Sequence, residues 1–235
     1  MKAAALMALM MLGGAAYAEP CRQALALGLD VSGSVDAREY QLQLGGLAQA
    51  LDDKAVRGAL TALPQTPVRL MVYEWSGPDN QATVIPWTTI TGTAALDAVI
   101  VTLRKTERRV TSPGTALGVA MATGATHLRS QSECWRRTLD ISGDGKANLG
   151  PRPRDVKPLI GADGITINAL VIGADDPNIG DIRQAEIGEL SSYFRAEVIM
   201  GPDAFVETAI GFEDYARAMT AKLLRELDGL VLSSR

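Results

Sequence analysis

Asp30, Ser32 and Ser34 stand at alternate positions where an apolar run, Leu25 to Leu29, gives way to a segment of helical periodicity. One carboxylate and two hydroxyls at a strand-to-helix turn are hard donors, of the kind that hold Mg²⁺- or Ca²⁺-type ions. Two later turns add donors of the same kind. Ser112-Pro113-Gly114-Thr115 opens a central helix with Thr115 near its start, and Ser142-Gly143-Asp144-Gly145 ends a strand with Asp144 between glycines. Helix capping explains each turn singly, because Ser, Thr and Asp are common caps. It does not explain three oxygen-rich turns in one chain.

The order Asp-x-Ser-x-Ser, then Thr, then Asp-Gly resembles the metal-ion-dependent adhesion site of von Willebrand factor A domains, over the whole chain after residue 18. Asp30, Ser32, Ser34, Thr115 and Asp144 match that motif position by position. The resemblance implies that the serines, and in some states the threonine, touch the ion directly, while the aspartates act directly or through water. Val72 to Gly77 and Ile141 to Gly145 are similar to an exported bacterial branch of A-domain proteins with no assigned function. The physical logic stands beside the name. Two carboxylates neutralise a divalent ion without excess, and hydroxyls withdraw little of its remaining attraction. An open coordination position then attracts the carboxylate of an outside Asp or Glu.

Other candidates carry less. Asp140 shares strand parity with Ser142 and Asp144 and reads either as a supporting acceptor behind the site or as the buried partner of an arginine such as Arg137. Glu74 and Trp75, at a strand end, border the site, with core packing favoured for Trp75. Lys105, Arg108 and Arg109 form a basic loop before Thr115 that reads as solvated charge, open to use by an acidic partner. His127 is the only histidine and falls on a helix away from both Asp turns, so no Ser-His-Asp triad is expected. No G-x-S-x-G elbow, G-x-G-x-x-G or P-loop is present.

Alternating elements must position these residues. Leu25–Val31 reads as a buried strand, followed by a helix through Tyr40, Leu44, Leu47 and Leu51 with an Asp36/Glu39 capping box. Val68–Trp75 and Ala82–Trp87 read as a hairpin around Gly77-Pro78-Asp79-Asn80. Helices are expected over Thr93–Leu103, Ala116–Leu128 and Asp155–Gly161, and strands over Trp135–Ser142, Ile165–Ile172 and Ala196–Met200. A loop is expected at 175–180, and a closing helix through Phe212, Tyr215, Met219, Leu223 and Leu227. This is an α/β, Rossmann-like von Willebrand A fold: a mostly parallel sheet with one antiparallel strand and helices on both faces. Ligands of such sheets sit beyond the carboxyl ends of the strands, where both Asp turns fall.

Composition sets the frame. The chain has 235 residues, 47% of them hydrophobic, with a net charge of −4. That affords one full core and lacks the basic stripe of a nucleic-acid binder. Lys2, the apolar stretch Ala3–Leu12 and Ala16-Tyr17-Ala18 read as a signal peptide over residues 1–18, leaving a domain over 19–235. No later apolar run has membrane length, since Leu159–Ile172 is broken by Asp163, Gly164 and Asn168. An exported, periplasmic or secreted protein follows. In that oxidising setting Cys21 and Cys134 are expected to pair if their strands are parallel neighbours, two free buried thiols being the alternative. The expected function is binding, not catalysis: a Mg²⁺ (or Mn²⁺/Ca²⁺) module for a protein ligand presenting Asp or Glu. A metal-dependent hydrolase is the alternative, and it lacks a visible general base. A subunit of an ATPase machine fits poorly with export.

Overall fold

Every residue of Cys21–Asp30 is buried, as a strand covered on both faces requires. In the computed structural model, which describes residues 20–173 and 180–228 (without the side chains of 180–185), this segment forms β1 at the centre of a six-stranded sheet. The other strands are β2 (Val68–Trp75), β3 (Gln81–Ile90), β4 (Cys134–Gly143), β5 (Thr166–Ile172) and β6 (Val206–Ala209). Their order is β3-β2-β1-β4-β5-β6. Only β3 runs antiparallel, as the hairpin predicts.

Helices α1 (Ala37–Asp52), α2 (Lys54–Thr61), α3 (Thr93–Lys105) and α7 (Tyr215–Asp228) cover one face. There Leu44, Leu47, Leu60, Ile100 and Leu223 meet Leu25, Leu27 and Leu29 of β1. Helices α4 (Leu117–Arg129), α5 (Pro153–Gly161) and α6 (Gly180–Glu197) cover the other, where Met121, Ile160 and Phe194 pack on Ala24, Ala26 and Ile141. The capping box at the start of α1 is present: Asp36 accepts from the Glu39 amide at 2.8 Å, and Glu39 accepts from the Asp36 amide at 2.7 Å.

Two expectations change, and two others fall on residues outside those described. Ala196–Met200 is not a strand: Ala196 and Glu197 end α6, and Met200 makes a single bridge to Ile167. The last strand is β6, ten residues further on in Val206–Ala209. The loop expected at 175–180 lies outside the described residues except for Gly180, which opens α6. The short helix α2, started by Asp53 accepting from the Ala55 and Val56 amides, was not expected. The leader expected at 1–18 also lies outside the described residues. Among the described residues no helix is long and apolar enough to cross a membrane.

Cys21 and Cys134 face each other in the β1–β4 register and form a disulfide. It closes a separation of 113 residues, for which chain entropy allows stabilisation of roughly 4–5 kcal/mol. Both thiols should therefore resist alkylation in the native protein until a reductant is added, and reduction should lower the midpoint of thermal unfolding. Rapid labelling of the unreduced native protein overturns the assignment.

Candidate metal centre

Between β1 and β4 the strand order reverses, and both strands deliver their final residues to the same carboxyl edge. Asp30 ends β1 fully buried; its Oδ1 accepts from the Ser32 amide at 2.8 Å, folding the turn back over the strand end. Ser32 and Ser34 place their Oγ atoms 3.3 Å apart. Ser34 Oγ then donates to Asp144 Oδ1 at 2.7 Å, joining the β1 turn to the turn after β4. The cluster grades from buried Asp30 and Ser32 to exposed Ser34, so its outer side opens to solvent.

The loop that carries Thr115 is fastened beside this cluster. The Gly33 amide donates to Pro113 O at 3.1 Å and the Ala116 amide to Ser76 O at 2.8 Å. A side chain at Gly33 would come within 2.9 Å of Pro113, so the two loops can close only on a glycine. Asn148 Oδ1 accepts from the Thr115 amide at 2.8 Å, and Thr115 O accepts from the Asn148 amide at 3.0 Å. Sequence reasoning missed Asn148, which lies in an irregular segment without periodicity.

Capping does not use these hydroxyls. The cap of α1 is Asp36, not Ser32 or Ser34, and α4 has Ala116 at its cap position, with no side-chain cap. Burial, reinforced by the Asp144 charge and opposed by the hydrogen bonds from Ser32, pushes the Asp30 carboxyl up to about 8. Burial raises Asp144 as well, against the Ser34 hydrogen bond. Asp30 Oδ2 is buried with no hydrogen-bond partner, an arrangement that is costly unless something positive sits there. Hard oxygen donors around an orphaned carboxylate oxygen fit a divalent ion. Among the described residues no three His, Cys, Asp or Glu side chains gather into a metal cage, so hydroxyls would have to complete any coordination here.

The flanking expectations resolve unevenly. Glu74 is 1% exposed and shared by Tyr40, which donates to it at 2.5 Å, and Arg109, at 2.9 Å. Arg109 is thus paired, not merely solvated, and Arg108 Nη2 lies 3.5 Å from Ser32 O against the turn itself. Trp75 is wholly buried core. Asp140 is not the partner of Arg137: it faces α7, where its Oδ2 lies 2.8 Å from Lys222 Nζ, while Arg137 donates instead to Asp163 O. The lysine was not anticipated because it sits among apolar neighbours on α7. Half-buried His127 stands against Tyr73, ring centres 5.8 Å apart, remote in contact from either Asp turn.

Comparison with known proteins bears on the fold. Proximal thread matrix protein 1 from the mussel byssus is similar, with a TM-score of 0.60 and 13% identity over 88% of this chain and 47% of that chain. A further structure of that mussel protein is described as having a zinc-occupied MIDAS motif. The pilus adhesin SpaC of Lactobacillus rhamnosus GG has a TM-score of 0.60 and 14% identity over 91% of this chain and 31% of that one. An aerotolerance-related membrane protein from Bacteroides fragilis NCTC 9343 has a TM-score of 0.54 and 14% identity over 88% and 98%. The chain thus spans about half of the mussel protein and under a third of the adhesin. These likenesses establish the von Willebrand A-type fold. No curated protein sequence matches the chain. A family model described as "Protein of unknown function (DUF1194)" matches residues 20–231, and the chain belongs to that family.

Proposed function

We propose that the protein is an exported, metal-dependent binding module. Asp30, Ser32, Ser34, Thr115 and Asp144 hold a hard divalent ion, Mg²⁺ or else Mn²⁺ or Ca²⁺, and a partner's Asp or Glu carboxylate completes its coordination. The observation that carries this reading is Asp30 Oδ2, buried and unpartnered within a cluster whose outer members, exposed Ser34 and half-buried Asp144, open to solvent. Two carboxylates balance the ion without excess and the hydroxyl ligands add no charge, which leaves room for an incoming carboxylate. The zinc-occupied MIDAS motif described for a protein of the same fold supports a divalent cation at such a site, without selecting among these ions. The leader-like start and the disulfide support export.

The test is capture of envelope proteins on the immobilised chain, with Mg²⁺ or with a chelator, beside Asp30→Ala. A specific partner should be retained with Mg²⁺ and released by chelator, and the variant should retain none. Equal capture under all three conditions overturns the proposal.

A further inference from the structure

The opposite edge of the sheet carries a second concave site. A cleft of about 590 Å³ opens at the amino ends of β4 and β5, within the range of small-molecule sites. Trp135, Arg136, Asn168, Phe205, Arg225 and Glu226 line it. Its charges are sorted by depth. Glu226, 2% exposed, lies at the floor, and its Oε1 accepts from both Lys222 Nζ at 2.6 Å and Asn168 Nδ2 at 2.7 Å. Its Oε2 is buried with no hydrogen-bond partner. The surrounding donors are already engaged. Lys222 also contacts Asp140, and Asn168 Oδ1 accepts from the Phe205 amide at 3.1 Å. Two carboxylates, Asp140 and Glu226, share the single Lys222 ammonium, so the floor favours one more cationic donor.

The rim has the opposite sign. Arg225 lies over the Phe205 ring, 3.8 Å from its centre, and is exposed. Among the described residues neither Arg225 nor half-buried Arg136 has a carboxylate partner, whereas Arg137, which also lines the cleft, is held by Asp163 O. Trp135 is 65% exposed beside them, a large aromatic surface turned to solvent at the mouth of a charged cleft. A simple anion would meet the floor carboxylate, and a simple cation would meet the guanidinium rim. A molecule carrying both charges satisfies both.

We infer that this cleft binds a small zwitterion of the amino-acid type. Its ammonium donates to Glu226 Oε2, its carboxylate accepts from Arg136 and Arg225, and its side chain rests on Trp135. Guanidinium–carboxylate pairing and burial against an aromatic face are the interactions that such a ligand can use together.

The experiment is calorimetric titration of the full chain, in chelator, with free amino acids and with their N-acetyl and α-amide derivatives. At least one free amino acid should bind saturably at up to millimolar concentration, and both derivatives should bind about tenfold more weakly or worse, since the N-acetyl form leaves the floor carboxylate without its cation and the α-amide leaves the rim guanidiniums without their anion. Arg136→Gln and Trp135→Ala, at partly or largely exposed positions, should each weaken binding about tenfold while leaving thermal unfolding unchanged. Glu226→Gln should remove the preference for the free amino acid over its N-acetyl derivative. Absence of saturable binding by every amino acid overturns the inference. So does an N-acetyl derivative that binds as tightly, which makes the cleft an anion site, or an α-amide that does so, which makes it a cation site. Because chelator is present, none of these outcomes depends on the metal centre.

Discussion

Lys222→Met should be among the most damaging single substitutions in the protein. Lys222 is completely buried on α7, and its ammonium is the partner of both Asp140 and Glu226. Burial alone would lower its pKa, yet the two carboxylates hold it above its ordinary value. Methionine keeps most of the stem volume and removes the charge, leaving two carboxylates in the core without a cation. Breaking a buried pair from one side costs about 3–5 kcal/mol. For a chain of this size that corresponds to a fall of roughly 6–20 °C in the unfolding midpoint. The triple change Lys222→Met, Asp140→Asn, Glu226→Gln should recover most of the loss, since it removes the uncompensated charge as well as its partner. Acid should also relieve the single variant. In the native protein, burial, opposed by Lys222 and reinforced by Glu226, already pushes Asp140 up to about 7 from an ordinary 3.8. A folded-state pKa above the unfolded one means the folded state holds the extra proton. Stability therefore falls as pH rises through that window, and more steeply without the lysine. A midpoint within a degree or two of wild type at neutral pH contradicts the account.

Asp30→Ala should abolish stabilisation by Mg²⁺ while leaving the fold intact. At a hundredfold excess over the dissociation constant, a bound ion adds about 2.7 kcal/mol, or roughly 5–10 °C for a domain of this length. The variant should gain none of it. The metal-free proteins should diverge in the other direction. With its folded pKa pushed to about 8, Asp30 costs wild type stability as pH rises from the ordinary carboxyl range to about 8, because the folded state must keep or surrender a proton that the unfolded state has already lost. Alanine removes that penalty, so without metal the variant should be the more pH-independent of the two. Thermal scans at several pH values, with and without Mg²⁺, read both effects. An Asp30→Ala protein that responds to Mg²⁺ as wild type does would remove Asp30 from the site.

Much of this architecture was legible because burial on a period of two or 3.6 leaves a strong imprint. β1, the β2–β3 hairpin, α1 with its Asp36/Glu39 cap and the amphipathic α7 all followed from spacing. The Asp30–Ser34 turn and the Asp144 turn meet because β1 and β4 are neighbours, an adjacency that alternation of elements allows but only the sheet order supplies. Failures came where local composition and tertiary context disagree. Val198-Ile199-Met200 has strand-like residues, yet it follows α6 and finds one bridge, whereas Val206–Ala209 pairs with β5 along four short residues that carry little pattern. The helix α2 buries only Val56 and Leu60, too few to announce a face. Lys222 was invisible for a sharper reason. A lysine within a stripe of Met219 and Leu223 reads as a polar interruption, and only the partner strand shows that it is answered by Asp140. Asn148 was equally hidden, since its task is to hold a backbone amide of a distant loop.

The cystine has a consequence beyond chain entropy. It joins Cys21 to Cys134 at the amino end of the two strands whose carboxyl ends supply Asp30 and Asp144. Strand rise is about 3.3 Å per residue, so the covalent tie lies roughly 30 Å from the turns it aligns. A slip of β1 past β4 by one residue would turn every side chain of β1 to the other face and part the two carboxylates. Fixed at its far end, the strand pair works as a ruler with a stop: sliding is forbidden at the cystine, so the spacing of the acidic turns is set from the other side of the molecule.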